Sequence, residues 1–122
     1  MTKRVLIADD EPNIVASLEF LMEQAGFEVK VAPDGGAALA LVASFRPDLV
    51  LLDVMMPVKN GYEVCQQLKS DPGTRGVKVM LLSAKGRDVE VAKGLELGAD
   101  AYITKPFSTR DLVAKARELL GA

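Results

Sequence analysis

Four successive apolar residues, Leu49-Val50-Leu51-Leu52, constrain this chain more than any other feature. A strand with one face in water alternates apolar and polar side chains, whereas one that is apolar on both faces must be covered on both sides. The run therefore reads as the central strand of a sheet lying between two layers of helices. Around it, short runs rich in Val, Ile and Leu alternate with longer segments of helical period, the signature of a parallel sheet with crossover helices. Strands are expected at Arg4 to Ala8, Glu28 to Ala32, Asp48 to Leu52, Val77 to Leu82 and Ala101 to Thr104.

Five helices are expected between and after them. The first has Pro12 near its start, Ile14, Leu18, Leu21, Met22 and Ala25 at three-to-four spacing, and Gly26 as its stop. The second runs from about Gly36 to Phe45 and must end before Pro47. The third spans Gly61 to Ser70 and closes at Asp71-Pro72-Gly73; the fourth spans Asp88 to Leu97 and closes at Gly98. The fifth opens with Ser108 and Asp111 in capping-box-like spacing, Asp standing where Glu or Gln is usual, and turns Leu112, Val113, Ala116, Leu119 and Leu120 inward. The fold class is thus α/β, a doubly wound (βα)5 three-layer sandwich. At 122 residues, with 49% hydrophobic and 26% charged residues, residues 1–122 suit one domain with no effector domain beside it.

Composition removes several kinds of chemistry. There is no histidine, so imidazole nucleophiles, bases and zinc sites are excluded, and the lone Cys65 cannot form an internal disulfide. It reads as a small packing residue, and Met22, Met55, Met56 and Met80 as core or loop filler. Fifteen Lys plus Arg against seventeen Asp plus Glu give a net charge of -2, so direct binding to nucleic acid is not expected. The apolar runs have strand length and the amino-terminal one stops at Asp9, which argues for no membrane segment, no signal peptide and a cytoplasmic setting.

In a doubly wound sheet, ligands bind at the carboxyl ends of the strands. The residues just past those ends are Asp9, Asp10 and Glu11, then Asp53, then Ser83, then Lys105-Pro106. Taken singly each has an ordinary reading: Asp9 or Asp10 as a cap of the first helix, Asp53 as a turn residue, Ser83 as a cap, Lys105 as a solvated lysine. Gathered at one edge, the carboxylates would raise one another's pKa unless a cation sat among them. A hard divalent ion with oxygen ligands, Mg²⁺, is the economical counter-charge.

Four stretches, Val5 to Pro12, Pro47 to Pro57 with Gly61, Leu82-Ser83-Ala84, and Gly98 to Phe107, together resemble the receiver domain of two-component response regulators, over essentially the whole chain. The resemblance implies a flavodoxin-like sheet of order 2-1-3-4-5. It implies that Asp53 takes a phosphoryl group from a phosphohistidine on a sensor histidine kinase or phosphotransfer protein, forming an aspartyl phosphate. Asp10 and Asp53 would ligate Mg²⁺ with the backbone carbonyl of Met55, Asp9 holding the metal through water. Ser83 and Lys105 would each contact a phosphoryl oxygen. Met56, Pro57 and Gly61 belong to the loop motif, and Lys105-Pro106 would be a cis bond, an ordinary trans turn being the alternative.

The resemblance also implies a switch. Ser83 is drawn to the phosphoryl group and Tyr102 turns inward, changing a face made of the fourth helix, fifth strand and fifth helix for a downstream protein or effector domain; otherwise Tyr102 is only a half-buried strand aromatic. Met55 and Lys85, as bulky neighbours of the site, would slow loss of the phosphoryl group. Asp100, Asp111 and Lys115 match in kind the charges of receivers that dimerise through that face, but Ala101 and Glu118 do not, so a monomer or a weak phosphorylation-dependent dimer is expected. Two other readings are a haloacid-dehalogenase-type phosphatase, which needs Asp-x-Asp where this chain has adjacent Asp9-Asp10, and a pseudo-receiver that works without phosphorylation.

Overall fold

The computed structural model describes residues 2–84 and 88–121. Strands and helices alternate: β1 Arg4–Ala8, α1 Pro12–Gln24, β2 Glu28–Ala32, α2 Gly35–Phe45, β3 Leu49–Asp53, α3 Gly61–Ser70, β4 Lys78–Ser83, α4 Asp88–Glu96, β5 Ala101–Thr104 and α5 Thr109–Leu120. The five strands form one parallel sheet in the order β2-β1-β3-β4-β5, with β3 at its centre and buried along its whole length.

Alternation of side chains along each strand divides the core in two. Leu6, Val50, Leu52, Val79 and Leu81 face α2 and α3, meeting Ala38, Val42, Val64, Cys65 and Leu68. Val5, Ile7, Leu49, Leu51, Met80 and Leu82 face the other way, against Leu18 and Met22 of α1 and Leu112, Ala116 and Leu120 of α5. Each fully buried Leu, Ile or Val contributes roughly 1.5–3 kcal/mol relative to an exposed one. The double-sided apolar run of β3 is what requires both helical layers.

Helix starts follow local chemistry. Asp34 caps α2 by accepting from the Ala37 N–H, Asn60 and Glu63 form a reciprocal capping box at α3, and Ser108 accepts from the Asp111 N–H at α5. The start of α1 differs from expectation: its N-cap, Glu11, makes no side-chain cap bond, while the Asp9 carboxylate accepts from the Glu11 N–H two residues on. Asp9 braces the turn into α1 without capping it.

Two strands lie one residue later than the apolar runs suggest. β3 ends on Asp53, which pairs with Leu82, and β4 ends on Ser83, which pairs with Thr104. An apolar run marks where side chains are buried; the ladder needs only backbone N–H and C=O groups, and so continues through polar residues. Asp53 and Ser83 are therefore the last residues of buried strands rather than the first residues of loops.

Candidate functional site at the carboxyl edge of the sheet

β1, β3, β4 and β5 end side by side, and their terminal residues form the site. Asp9, directly after β1, is 1% exposed; Asp53 is 3% exposed and Ser83 fully buried. Asp10 and Glu11 are exposed. Lys105, following β5, is tied back to β4 by its backbone N–H, which donates to the Ser83 carbonyl at 2.7 Å. The Lys105-Pro106 peptide bond is cis.

The Lys105 ammonium reaches into the acidic cluster, with Nζ 3.2 Å from Asp9 Oδ2, 3.5 Å from Glu11 Oε1 and 3.6 Å from Asp53 Oδ1. Burial works against this cation, but the Asp53 and Asp9 carboxylates outweigh it and raise its pKa above the ordinary lysine value. Asp53 is pushed the other way. Its removal from water lifts its pKa from 3.8 to about 6; the Asp9 carboxylate adds to the rise, while the Met55 N–H, donating to Asp53 Oδ1 at 3.1 Å, and Lys105 oppose it.

Asp9, Asp10 and Asp53 each offer a carboxylate oxygen, all within 4.8 Å of one another. The Lys105 ammonium is shared among Asp9, Glu11 and Asp53, with the Asp10 carboxylate close by, so acids outnumber the cation that reaches them. Hard oxygen donors, one of them exposed and two buried, fit a magnesium ion that keeps part of its water shell.

Close backbone approach shapes the loop between β3 and α3. A Cβ on Gly61 would lie 2.6 Å from the Asp53 carbonyl oxygen and 2.9 Å from Val54 Cα, and a Cβ on Gly35 would collide with the Lys59 carbonyl oxygen. Both glycines let the loop carrying Met55 fold back over β3 and the start of α2. Within that loop Met56 is buried, Pro57 exposed, and Met55, read above as filler, is 60% exposed. Met22 and Met80 do lie in the core. Lys85 lies outside the described residues.

Asp9, Asp10, Asp53 and Lys105 are thus brought together, and Ser83 ends the strand beside Asp53. The ion pair between Lys105 and Asp9 was not legible in sequence, since 96 positions separate the two residues. Tyr102 is half-buried on β5, and its hydroxyl lies 3.3 Å from that of Tyr62 on α3, a residue that sequence reasoning passed over. Cys65 is wholly buried, and burial pushes its thiol up to about 11.

The family model for the response regulator receiver domain matches residues 5–117. The chain belongs to that family. The receiver domain resembles the DNA-binding response regulator MtrA of Mycolicibacterium smegmatis, with 44% identity over 120 residues, 98% of this chain and 51% of the relative. It spans about half the length of the curated relatives it matches. Among solved structures, the BeF3-activated DrrB receiver domain superposes with a TM-score of 0.90 at 34% identity, covering all of both chains. The receiver domain of the Francisella response regulator 1452 gives 0.92 at 32% identity over 98% of each chain. Receiver domains of this family are signalling switches, and the phosphatase reading falls with the family assignment. No helix among the described residues is long and apolar enough to cross a membrane.

Proposed function

We propose that residues 1–122 form one receiver unit that accepts a phosphoryl group on Asp53 and converts its presence into a change of surface. The observation that carries the reading is the environment of Asp53: a nearly buried carboxylate at the end of the central strand, held by the Met55 N–H, with the Lys105 ammonium 3.6 Å away and Asp9 and Asp10 alongside.

Asp10 and Asp53 would hold Mg²⁺ with the Met55 carbonyl, and Asp9 through water. Held there, the ion would supply positive charge for the phosphoryl oxygens. An Asp53 carboxylate oxygen attacks phosphorus, the new P–O bond forms as the P–N bond of a phosphohistidine breaks, and the electron pair returns to the donor's imidazole nitrogen. No general base is required, because with a pKa of about 6 Asp53 is largely ionised at neutral pH. Lys105, now shared between Asp9 and Asp53, supplies a positive charge for one phosphoryl oxygen, and the Ser83 hydroxyl donates to another.

The donor is then a histidine kinase or phosphotransfer protein, a separate source of imidazole that this chain lacks. The output face is α4, β5 and α5, with Ser83 and Tyr102 as the coupling pair, and it acts on a downstream protein or an effector domain in a cytoplasmic setting. A monomer or weak dimer is favoured because charges of that face are engaged within the chain. Asp100 pairs with Lys69 at 3.0 Å and accepts from the Val79 N–H, and Lys115 pairs with Glu118 at 3.2 Å.

Incubation with acetyl phosphate and Mg²⁺, followed by intact mass, tests the reading. One phosphoryl adduct is expected on the wild-type chain and none on Asp53→Asn. Absence of the adduct in a protein that binds Mg²⁺ would leave the pseudo-receiver in its place.

A further inference from the structure

One edge of the sheet is β2, and β5 is the other. The Glu28 N–H donates to the Lys3 carbonyl and the Ala32 carbonyl accepts from the Asp9 N–H, so these residues turn their backbone groups towards β1. Successive residues of a strand turn theirs to opposite sides. Val29 and Val31 therefore hold their N–H and C=O groups outward, along the open edge. Their side chains are half-buried, while Glu28 and Lys30 are exposed.

An exposed charge on an edge strand ordinarily deters pairing with another strand. Here the two charges have opposite signs and flank Val29 on either side. With a second copy of the strand antiparallel and Val29 opposite the partner's Val29, Glu28 stands opposite the partner's Lys30, and the valines exchange backbone hydrogen bonds. On the other face the same register sets Val31 opposite the partner's Phe27. Shifting to Val29 opposite the partner's Val31 would place Lys30 against the partner's Lys30, so charge selects the register. Both charges are available: Glu28 is 3.7 Å from Arg4 Nε and stays half-exposed. Lys30, with Nζ 5.6 Å from the Phe45 ring centroid, has no acid partner among the described residues.

Glu28 and Lys30 pair with Arg4 and Leu6 in the ladder and so share the face covered by α2. That helix packs over β1 and β2 and carries no charged residue. Its Leu39, Val42 and Ala43 line a cavity towards α3. Ala37, Ala40, Leu41 and Ser44 form the opposite flank, on the side of the β2 edge, and Ser44 Oγ donates to the Ala40 carbonyl of its own helix. With strands about 4.8 Å apart, a helix midway between β1 and β2 would lie about 10 Å from its twin, the spacing of packed helices. Small neutral side chains let the two meet without burying a charge.

We propose that two copies of this chain associate through β2, antiparallel about Val29, into one ten-stranded sheet with α2 against the partner's α2. The contact is isologous and closes as a dimer. The carboxyl edges of the two sheets then point in opposite directions, and each Asp53 site and each β5 edge remains open. This goes beyond the phosphoryl-acceptor reading, and association is expected equally with Asp53→Asn and without Mg²⁺.

Sedimentation equilibrium of the full chain tests it. The mass should rise with concentration from 13.1 kDa towards twice that value, and the Val29 and Val31 amides should gain protection from hydrogen exchange in step. Lys30→Glu and Glu28→Lys should each remain monomeric, since each sets like charges opposite one another. An equimolar mixture of the two should dimerise, because every Lys again meets a Glu. Val29→Pro, which removes an outward N–H and leaves the ladder to β1 intact, should also stay monomeric while folded, as judged by circular dichroism. A wild-type chain monomeric up to about 1 mM, association that survives the charge reversals, a mixture no better than its components, or a dimer that appears only after phosphorylation would overturn the proposal. None of these outcomes bears on the Asp53 adduct, which is measured separately.

Discussion

Replacing Asp53 with Asn should stabilise the metal-free protein at neutral pH, although it removes the residue on which the proposed chemistry depends. The folded chain lifts the Asp53 pKa from 3.8 to about 6, chiefly by burial. A shift of about two units at about 1.4 kcal/mol each makes the ionised carboxylate roughly 3 kcal/mol less compatible with the fold than the neutral form. The raised value means that the folded state binds the proton more tightly than the unfolded chain. This contribution is complete below pH 3.8 and is lost as pH rises through about 6. Asn keeps the shape without the charge, so at pH 8 in EDTA Asp53→Asn should exceed wild type by about 2–3 kcal/mol, or about 10 °C for a domain of this size. The gap should close as pH falls towards 4. Magnesium should close the gap, since at a hundred times its Kd it stabilises the wild type by about 2.7 kcal/mol, and the variant has lost a ligand. Thermal unfolding followed by circular dichroism at several pH values, with EDTA or Mg²⁺, measures all of this. A variant no more stable than wild type at pH 8 in EDTA, or a gap that ignores pH, would refute the account of a carboxylate strained by burial.

Other positions give sharper local tests. Gly61→Ala places a methyl group 2.6 Å from the Asp53 carbonyl oxygen, and since the obstacle is backbone the loop must shift; a loss of about 2–3 kcal/mol in urea unfolding is expected. Val58 is a β-branched residue at φ 69° and is 78% exposed, so Val58→Gly should raise stability by about 1 kcal/mol in the same assay, relief of the left-handed backbone exceeding the entropy cost of glycine. Cys65, with no exposed surface and a thiol raised to about 11, should react with a thiol reagent at neutral pH only as fast as the chain opens; rapid labelling of the folded protein would contradict its place in the core.

Periodicity placed β1, β2, β5 and α3 at the residues the structure shows, because in these elements the change from buried to exposed side chains coincides with the change in backbone hydrogen bonding. It set β3 and β4 one residue early because Asp53 and Ser83 are polar yet still paired in the ladder. Asp9 and Asp10 read alike in sequence. The structure separates them, burying Asp9 against Lys105 and leaving Asp10 exposed, although both carboxylates converge on Asp53. Glu11 was noted only as a neighbour, and its approach to Lys105 depends on where β5 ends.

By itself, then, the sequence determined the layers, the order of elements along the chain and the identities of the chemical groups, because apolar spacing and residue type are local properties. Without histidine, it also required any phosphohistidine to come from elsewhere. The tertiary structure alone decided which groups meet. Lys105 becomes the counter-charge of Asp9, and Tyr62 the partner of Tyr102, only because parallel crossovers bring remote strand ends and helix faces within hydrogen-bonding distance. It also decided that Asp53 is held away from water at a raised pKa, a consequence of the packing around β3 rather than of the residues beside it in the chain.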